Sequence, residues 1–126
     1  MSHLYTEEFL MHVEKTMNVG DIENPDGVGE TSAVTCGDTV RIMILVGDGK
    51  IKDIKFKVYG CAAAIAGGSL ITHIAKGMSI EEAERISADD LVTKFRGVPE
   101  KKIQCLENVV NALRAAIGDY YSKTES

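Results

Sequence analysis

"KFKVYGCAAAIAGGSL", residues 55–70, changes character in its middle. It begins as an alternating strand, with Lys55 and Lys57 on one face and Phe56 and Val58 on the other. From Ala62 it becomes a run of alanines and glycines, a small-residue helix over 62–76 that Gly77 can end as a C-cap. Cys61 stands at the junction. The strand passes directly into a helix, the turning point of an element order of helix, strands and then helices that reads as α+β, and the thiol at the seam needs a reason.

Upstream, TVRIMILV points Val40, Ile42, Ile44 and Val46 one way, and Arg41, Met43 and Leu45 the other. The stretch Gly47-Asp48-Gly49-Lys50 is a turn signal, and IKDIKFKVY returns as a second strand, so these residues predict a hairpin with one solvated face. Residues 4–15, LYTEEFLMHVEK, predict a short amphipathic helix. The glycine-containing stretch 18–38 reads as a loop. Downstream, Ser79-x-x-Glu82 and Ser87-x-x-Asp90 are two capping signals, and Gly97-Val98-Pro99-Glu100 breaks the chain. A long last helix then runs from about Lys101 to Tyr121, with a stripe of Ile103, Leu106, Val110, Leu113, Ile117 and Tyr120.

The 126 residues fit one domain, 1–126, and 44% hydrophobic with 26% charged residues describes an ordinary globular chain. No apolar run is long enough to span a membrane. Fourteen Lys and Arg against nineteen acids, with no basic block, argue against nucleic acid as a partner. The N-terminus lacks a basic-then-apolar signal pattern, so the expected compartment is the cytoplasm.

The three cysteines, at 36, 61 and 105, are odd in number and far apart, which favours reduced thiols over a disulfide framework. A lone free cysteine is most often a small buried hydrophobe. Here each stands at the end of an element. Cys61 would face the free N–H groups and positive end of a helix, a setting that favours thiolate. Cys105 follows Lys101 and Lys102 and lies beside the apolar stripe, so its side chain is expected at the domain edge. In Cys36-Gly37-Asp38 the glycine lets thiol and carboxylate bend toward one point. Three soft ligands and one hard one suit either iron in an iron–sulfur cluster or zinc at about four ligands. His3, His12 and His73 are poor candidates, and the lack of C-x-x-C spacing speaks against a thioredoxin-type site or a zinc ribbon. Gly67-Gly68 inside a helix reads as close backbone approach.

Cys36-Gly37-Asp38, FKVYGCAAAIAGGSL around Cys61, GVPEKKIQC ending at Cys105, and the closing ALRAAIGDYYSK together resemble the iron–sulfur cluster assembly scaffolds of the IscU type and the N-terminal domain of NifU. The likeness runs over nearly the whole chain. It implies an α+β fold with a small antiparallel sheet of about three strands, helices packed on one face, a long C-terminal helix and a site at one end. It also implies a scaffold without substrate turnover of its own, which accepts sulfur from a cysteine desulfurase, accepts iron, and passes the cluster to apo iron–sulfur proteins. Cys36, Asp38, Cys61 and Cys105 match the family's ligand positions, for a [2Fe–2S] cluster or for Zn²⁺ in the same site, as in zinc-bound sulfur-relay members. Cys105, beside two lysines, is the expected persulfide acceptor. One chain offers four ligands, so the cluster can sit in one protomer or bridge two, and an exposed cluster edge favours cover by a neighbour in a homodimer.

Three positions depart from the family pattern. The residue before the last cysteine, commonly histidine, is Gln104 here, and an amide is a poor iron ligand that points to Asp38 as the fourth. A segment read elsewhere by a dedicated heat-shock chaperone, Leu-Pro-Pro-Val-Lys, is Val98-Pro99-Glu100-Lys101-Lys102, which argues against dependence on that chaperone. The Asn-Pro-containing N-terminal stretch is Lys15-Thr16-Met17-Asn18-Val19-Gly20, without the proline.

Overall fold

The computed structural model describes residues 5–33 and 37–124. Along the chain these form α1 (Glu7–Glu14), β1 (Gly27–Ala33), β2 (Asp38–Gly47), β3 (Lys50–Tyr59), α2 (Ala62–Ala75), α3 (Ile80–Glu84), α4 (Ala88–Phe95) and α5 (Ile103–Thr124), with one 3-10 turn at Glu100–Lys102 ahead of α5. The three strands form an antiparallel sheet in the order β1-β2-β3.

The predicted hairpin is β2–β3. Asp48 and Gly49 sit at φ +54° and +75°, the left-handed pair that a two-residue turn demands. One irregularity was not legible. Leu45 faces Asp53 and Val46 faces Ile51, so the pairing slips by a residue at Lys52. That bulge lets Ile51 and Ile54, three apart, both reach the core, where a strict period of two would have sent one outward.

The third strand lies where the sequence reads as a loop, and this corrects that reading. Gly27 and Gly29 are the reason. A Cβ on Gly27 would sit 2.2 Å from the Ala116 carbonyl oxygen, and one on Gly29 would sit 2.2 Å from that of Ala112. The strand packs its backbone straight onto α5, so the glycines that look like loop residues are the condition for contact. Asp119 of α5 accepts the Val28 N–H at 2.9 Å, which ties the edge strand to the same helix.

α2 lies at the centre, buried on almost every side, as its apolar composition dictates. Gly68 meets the Phe56 ring of β3, where a Cβ would come within 2.3 Å, and Gly67 faces Leu106 and Val109 of α5. Two helical glycines cost roughly 1 kcal/mol each against alanine. Here they set the helix–sheet distance, which agrees with the close-approach reading. The polar residues of α2 hold the N-terminal segment: Ser69 Oγ lies 2.8 Å from His12 Nδ1 and accepts the Met17 N–H at 2.9 Å. Thr72 Oγ1 accepts from Asn18 Nδ2 at 3.1 Å. His12 is buried edge-on to Phe95 and is a packing residue. Both capping boxes form, at Ser79/Glu82 and Ser87/Asp90. No helix among the described residues is long and apolar enough to cross a membrane.

Candidate metal centre

At the open end of the hairpin, opposite the Asp48-Gly49 turn, β2 begins with Asp38 and β3 ends at Tyr59. Gly60 and Cys61 follow, and Cys61 is the N-cap of α2 in extended conformation. The α2 helix then carries the chain back across the sheet, and α5 brings Cys105 to the same end.

Asp38, Cys61 and Cys105 each offer a ligand atom, and these atoms lie within 4.8 Å of one another. The two sulfurs are 3.5 Å apart. The Asp38 carboxylate spans Cys61: Oδ1 accepts the Cys61 N–H at 2.9 Å and Oδ2 lies 3.5 Å from its Sγ. Asp38 is 1% exposed. Among the described residues the ion pairs use other carboxylates, so what faces Asp38 is a peptide N–H and a thiol. A carboxylate buried in that company is expensive. A cation held between it and the two sulfurs would offset the expense, and two soft donors beside one hard donor fit iron or zinc. Asn108 supports the arrangement, its Nδ2 donating to the Asp38 carbonyl at a long 3.4 Å while its own carbonyl accepts from Thr31 Oγ1 at 3.0 Å.

Measured against the sequence reading, Asp38, Cys61 and Cys105 come together as expected, and Cys36 lies outside the described residues. Gly37 adopts φ +69°, a left-handed conformation that glycine takes without strain. Two details differ. The Cys61 side chain makes no capping bond to the helix it precedes and turns instead to Asp38 and Cys105. Cys105 is 1% exposed, and the expectation of a side chain at the domain edge is corrected. The buried face of α5 is wider than its leucine-isoleucine stripe, because the glycines of β1 and α2 draw both neighbours close. Val109 and Ala112 are buried for the same reason. Gln104 is exposed while its neighbour Cys105 is buried, so their side chains leave the helix in different directions. His73 is exposed on α2.

Two residues of the site escaped the sequence reading. Asn108 stands three residues after Cys105, a spacing that places both on one face of a helix and was a usable signal. Gly60 carries no such signal, being one glycine among twelve.

The chain matches the family model described as the NifU-like N terminal domain over residues 4–126. It is 44% identical over 120 residues to the iron–sulfur cluster assembly scaffold protein IscU 1 of Archaeoglobus fulgidus, covering 95% of this chain and 78% of that one. It is 41% identical over 126 residues to the iron–sulfur cluster assembly scaffold protein IscU of Escherichia coli, covering 97% and 98%. Among solved structures, the fold is shared with a SUF-system iron–sulfur cluster assembly scaffold protein from Fervidobacterium islandicum, at a TM-score of 0.77 and 23% identity over 92% of this chain and 98% of that one. It is shared also with the N-terminal NifU-like protein from Brucella abortus, at a TM-score of 0.73 and 21% identity over 97% of each. By the extent of the family match and by identity along nearly its whole length, the chain belongs to the NifU-like N-terminal domain family, beside relatives that are iron–sulfur cluster assembly scaffold proteins.

Proposed function

We propose that this protein is a scaffold for iron–sulfur cluster assembly, on which a [2Fe–2S] cluster is built as cargo and from which it is handed to apo-proteins. The observation that carries this is the convergence of Asp38, Cys61 and Cys105 within 4.8 Å at the end of a sheet. Cys36, two residues before Asp38 in the chain, is the proposed fourth ligand. The names of the relatives favour this reading over the zinc-bound relay protein.

The donor set suits temporary holding. Thiolates bind iron firmly, and a carboxylate is harder and exchanges more readily, which gives the cluster one labile corner. The protein's own part is to hold these groups in place: Cys61 by the start of α2, Cys105 by α5, and Asp38 by the Cys61 N–H and Asn108. Sulfur would come from a cysteine desulfurase, with Cys105 as the proposed acceptor. Its burial means that this thiol must be uncovered by the incoming partner, whereas Cys61 is already half-exposed. Thiols 3.5 Å apart stay available as ligands only in a reducing compartment, which supports the cytoplasm.

Anaerobic reconstitution with ferrous iron, cysteine and a desulfurase, followed by addition of apo-ferredoxin, tests the reading. The expected result is a coloured protein that loses its visible absorption as the ferredoxin gains it. A colourless zinc protein, or a coloured one that keeps its cluster, would overturn it. Mass spectrometry after reaction with the desulfurase alone should find the added sulfur on Cys105, and sulfur confined to Cys36 or Cys61 would refute that assignment.

A further inference from the structure

We infer that Gly60 is a positioning residue for the Asp38 carboxylate, and that its missing side chain sets how readily the site releases its cargo; this rests on the scaffold reading above. A Cβ built on Gly60 would lie 2.1 Å from Asp38 Oδ1, 2.5 Å from Cγ and 2.9 Å from Cβ. The carboxylate occupies the space a side chain would take. Five other glycines stand at positive φ, and Gly60 is not among them, so its backbone makes no demand for glycine. Gly60 is exposed to solvent, so no tight core requires it either. What excludes a methyl group at this position is Asp38.

The consequence of adding one follows from what can move. Asp38 sits at the start of β2, and its main chain is fixed by pairing with Ala33 of β1 and by Asn108. Rotation of the Asp38 side chain relieves the two shortest contacts, to Oδ1 and Cγ, and the 2.9 Å contact to Cβ, which that rotation does not move, is left to a small local shift. That rotation breaks the bond from the Cys61 N–H to Oδ1 and carries Oδ2 away from Cys61 Sγ, the two contacts that aim the carboxylate at the thiol pair. Gly60→Ala therefore leaves the carboxylate in the chain and removes it from the site. It should copy Asp38→Ala while changing no donor atom.

Four proteins test this: the natural chain, Gly60→Ala, Asp38→Ala and the double variant. In the metal-free proteins the amide resonance of Cys61 in ¹H–¹⁵N spectra reports the bond to Oδ1. A change at residue 60 also shifts this amide directly, so the comparison is between Gly60→Ala and the double variant, whose Cys61 amides should coincide, while those of the natural chain and Asp38→Ala differ. After reconstitution, cluster lifetime against a chelator should lengthen about tenfold in Gly60→Ala, as in Asp38→Ala, with no further change in the double variant. If the clash costs Gly60→Ala its fold, the double variant, which loses the 2.1 and 2.5 Å contacts and keeps only the 2.9 Å one to the Cβ of residue 38, should recover most of that stability. A Cys61 amide that differs between Gly60→Ala and the double variant as it does between the natural chain and Asp38→Ala would overturn the inference, and so would a lifetime effect that adds to that of Asp38→Ala. A Gly60→Ala change that costs as much stability in the Asp38→Ala background as in the natural chain would overturn it as well. If the natural chain holds no cluster, the scaffold reading fails, and the amide shift still decides whether Gly60 positions Asp38.

Discussion

The two ends of the β2–β3 hairpin are held by different means. The turn end is closed by the backbone. Asp48 and Gly49 make the turn, the Ile51 N–H donates to the Met78 carbonyl, the Gly77 N–H donates to that of Ile51, and the Ile80 N–H donates to that of Gly49. A capping box then starts α3 on the spot. The open end is held by side chains: the Asp38 carboxylate on Cys61, the sulfur pair, and Asn108. Backbone closure serves stability whatever residues surround it. Side-chain closure can be opened by anything that competes for those side chains, and the proposed cargo would compete for three of them. One hairpin thus has a fixed end and an exchangeable end.

Substitutions should separate the two. The largest effect on cargo is expected from Cys61→Ser, which replaces a soft donor by a hydroxyl that does not ionise at working pH; cluster occupancy after reconstitution should fall about tenfold or more. The fold should persist by circular dichroism, since the Cys61 main chain still starts α2. The largest effect on stability is expected between the two ends, at Gly68→Ala, where the new methyl meets the Phe56 ring. Chemical denaturation should show a loss of about 2 kcal/mol from this overpacking. At the turn end, Gly49→Ala forces an alanine to φ +75° and should cost about 1 kcal/mol. Cluster lifetime should not change there, and a changed lifetime would mean that the ends are coupled.

The smallest effect concerns acid. Burial first, and the charge of His73 second, lower the pKa of His12 from its ordinary 6.5. The folded protein therefore binds this proton less readily than the unfolded chain. The contribution is complete above about pH 6.5 and is lost as pH falls from there through the lowered folded-state value. Denaturation midpoints should drop over that window, and His12→Gln should flatten this part of the profile.

The fixed end was legible in the sequence because its devices are local. Asp48-Gly49 and Ser79-x-x-Glu82 announce themselves over two and four residues, and α2 announces itself by composition. The strand at Gly27–Ala33 was hidden because its signal is the shape of another element: glycines suit it only because α5 lies against them. Cys105 was expected at the edge for a related reason, since the width of the buried face of α5 depends on neighbours that the helix's own periodicity does not record. The proposed ligand set rests on motifs around Cys36, Cys61 and Cys105 that the sequence carries openly. Asn108 and Gly60 acquire meaning only when β2, β3 and α5 meet.

The central claim is that Asp38 shares one site with the two cysteines and makes it releasable. The most direct measurement is the decay of the cluster's visible absorption under excess chelator, in the natural chain and in Asp38→Ala, each reconstituted anaerobically. The account predicts that Asp38→Ala still loads and loses its cluster about tenfold more slowly. An unchanged lifetime would contradict it.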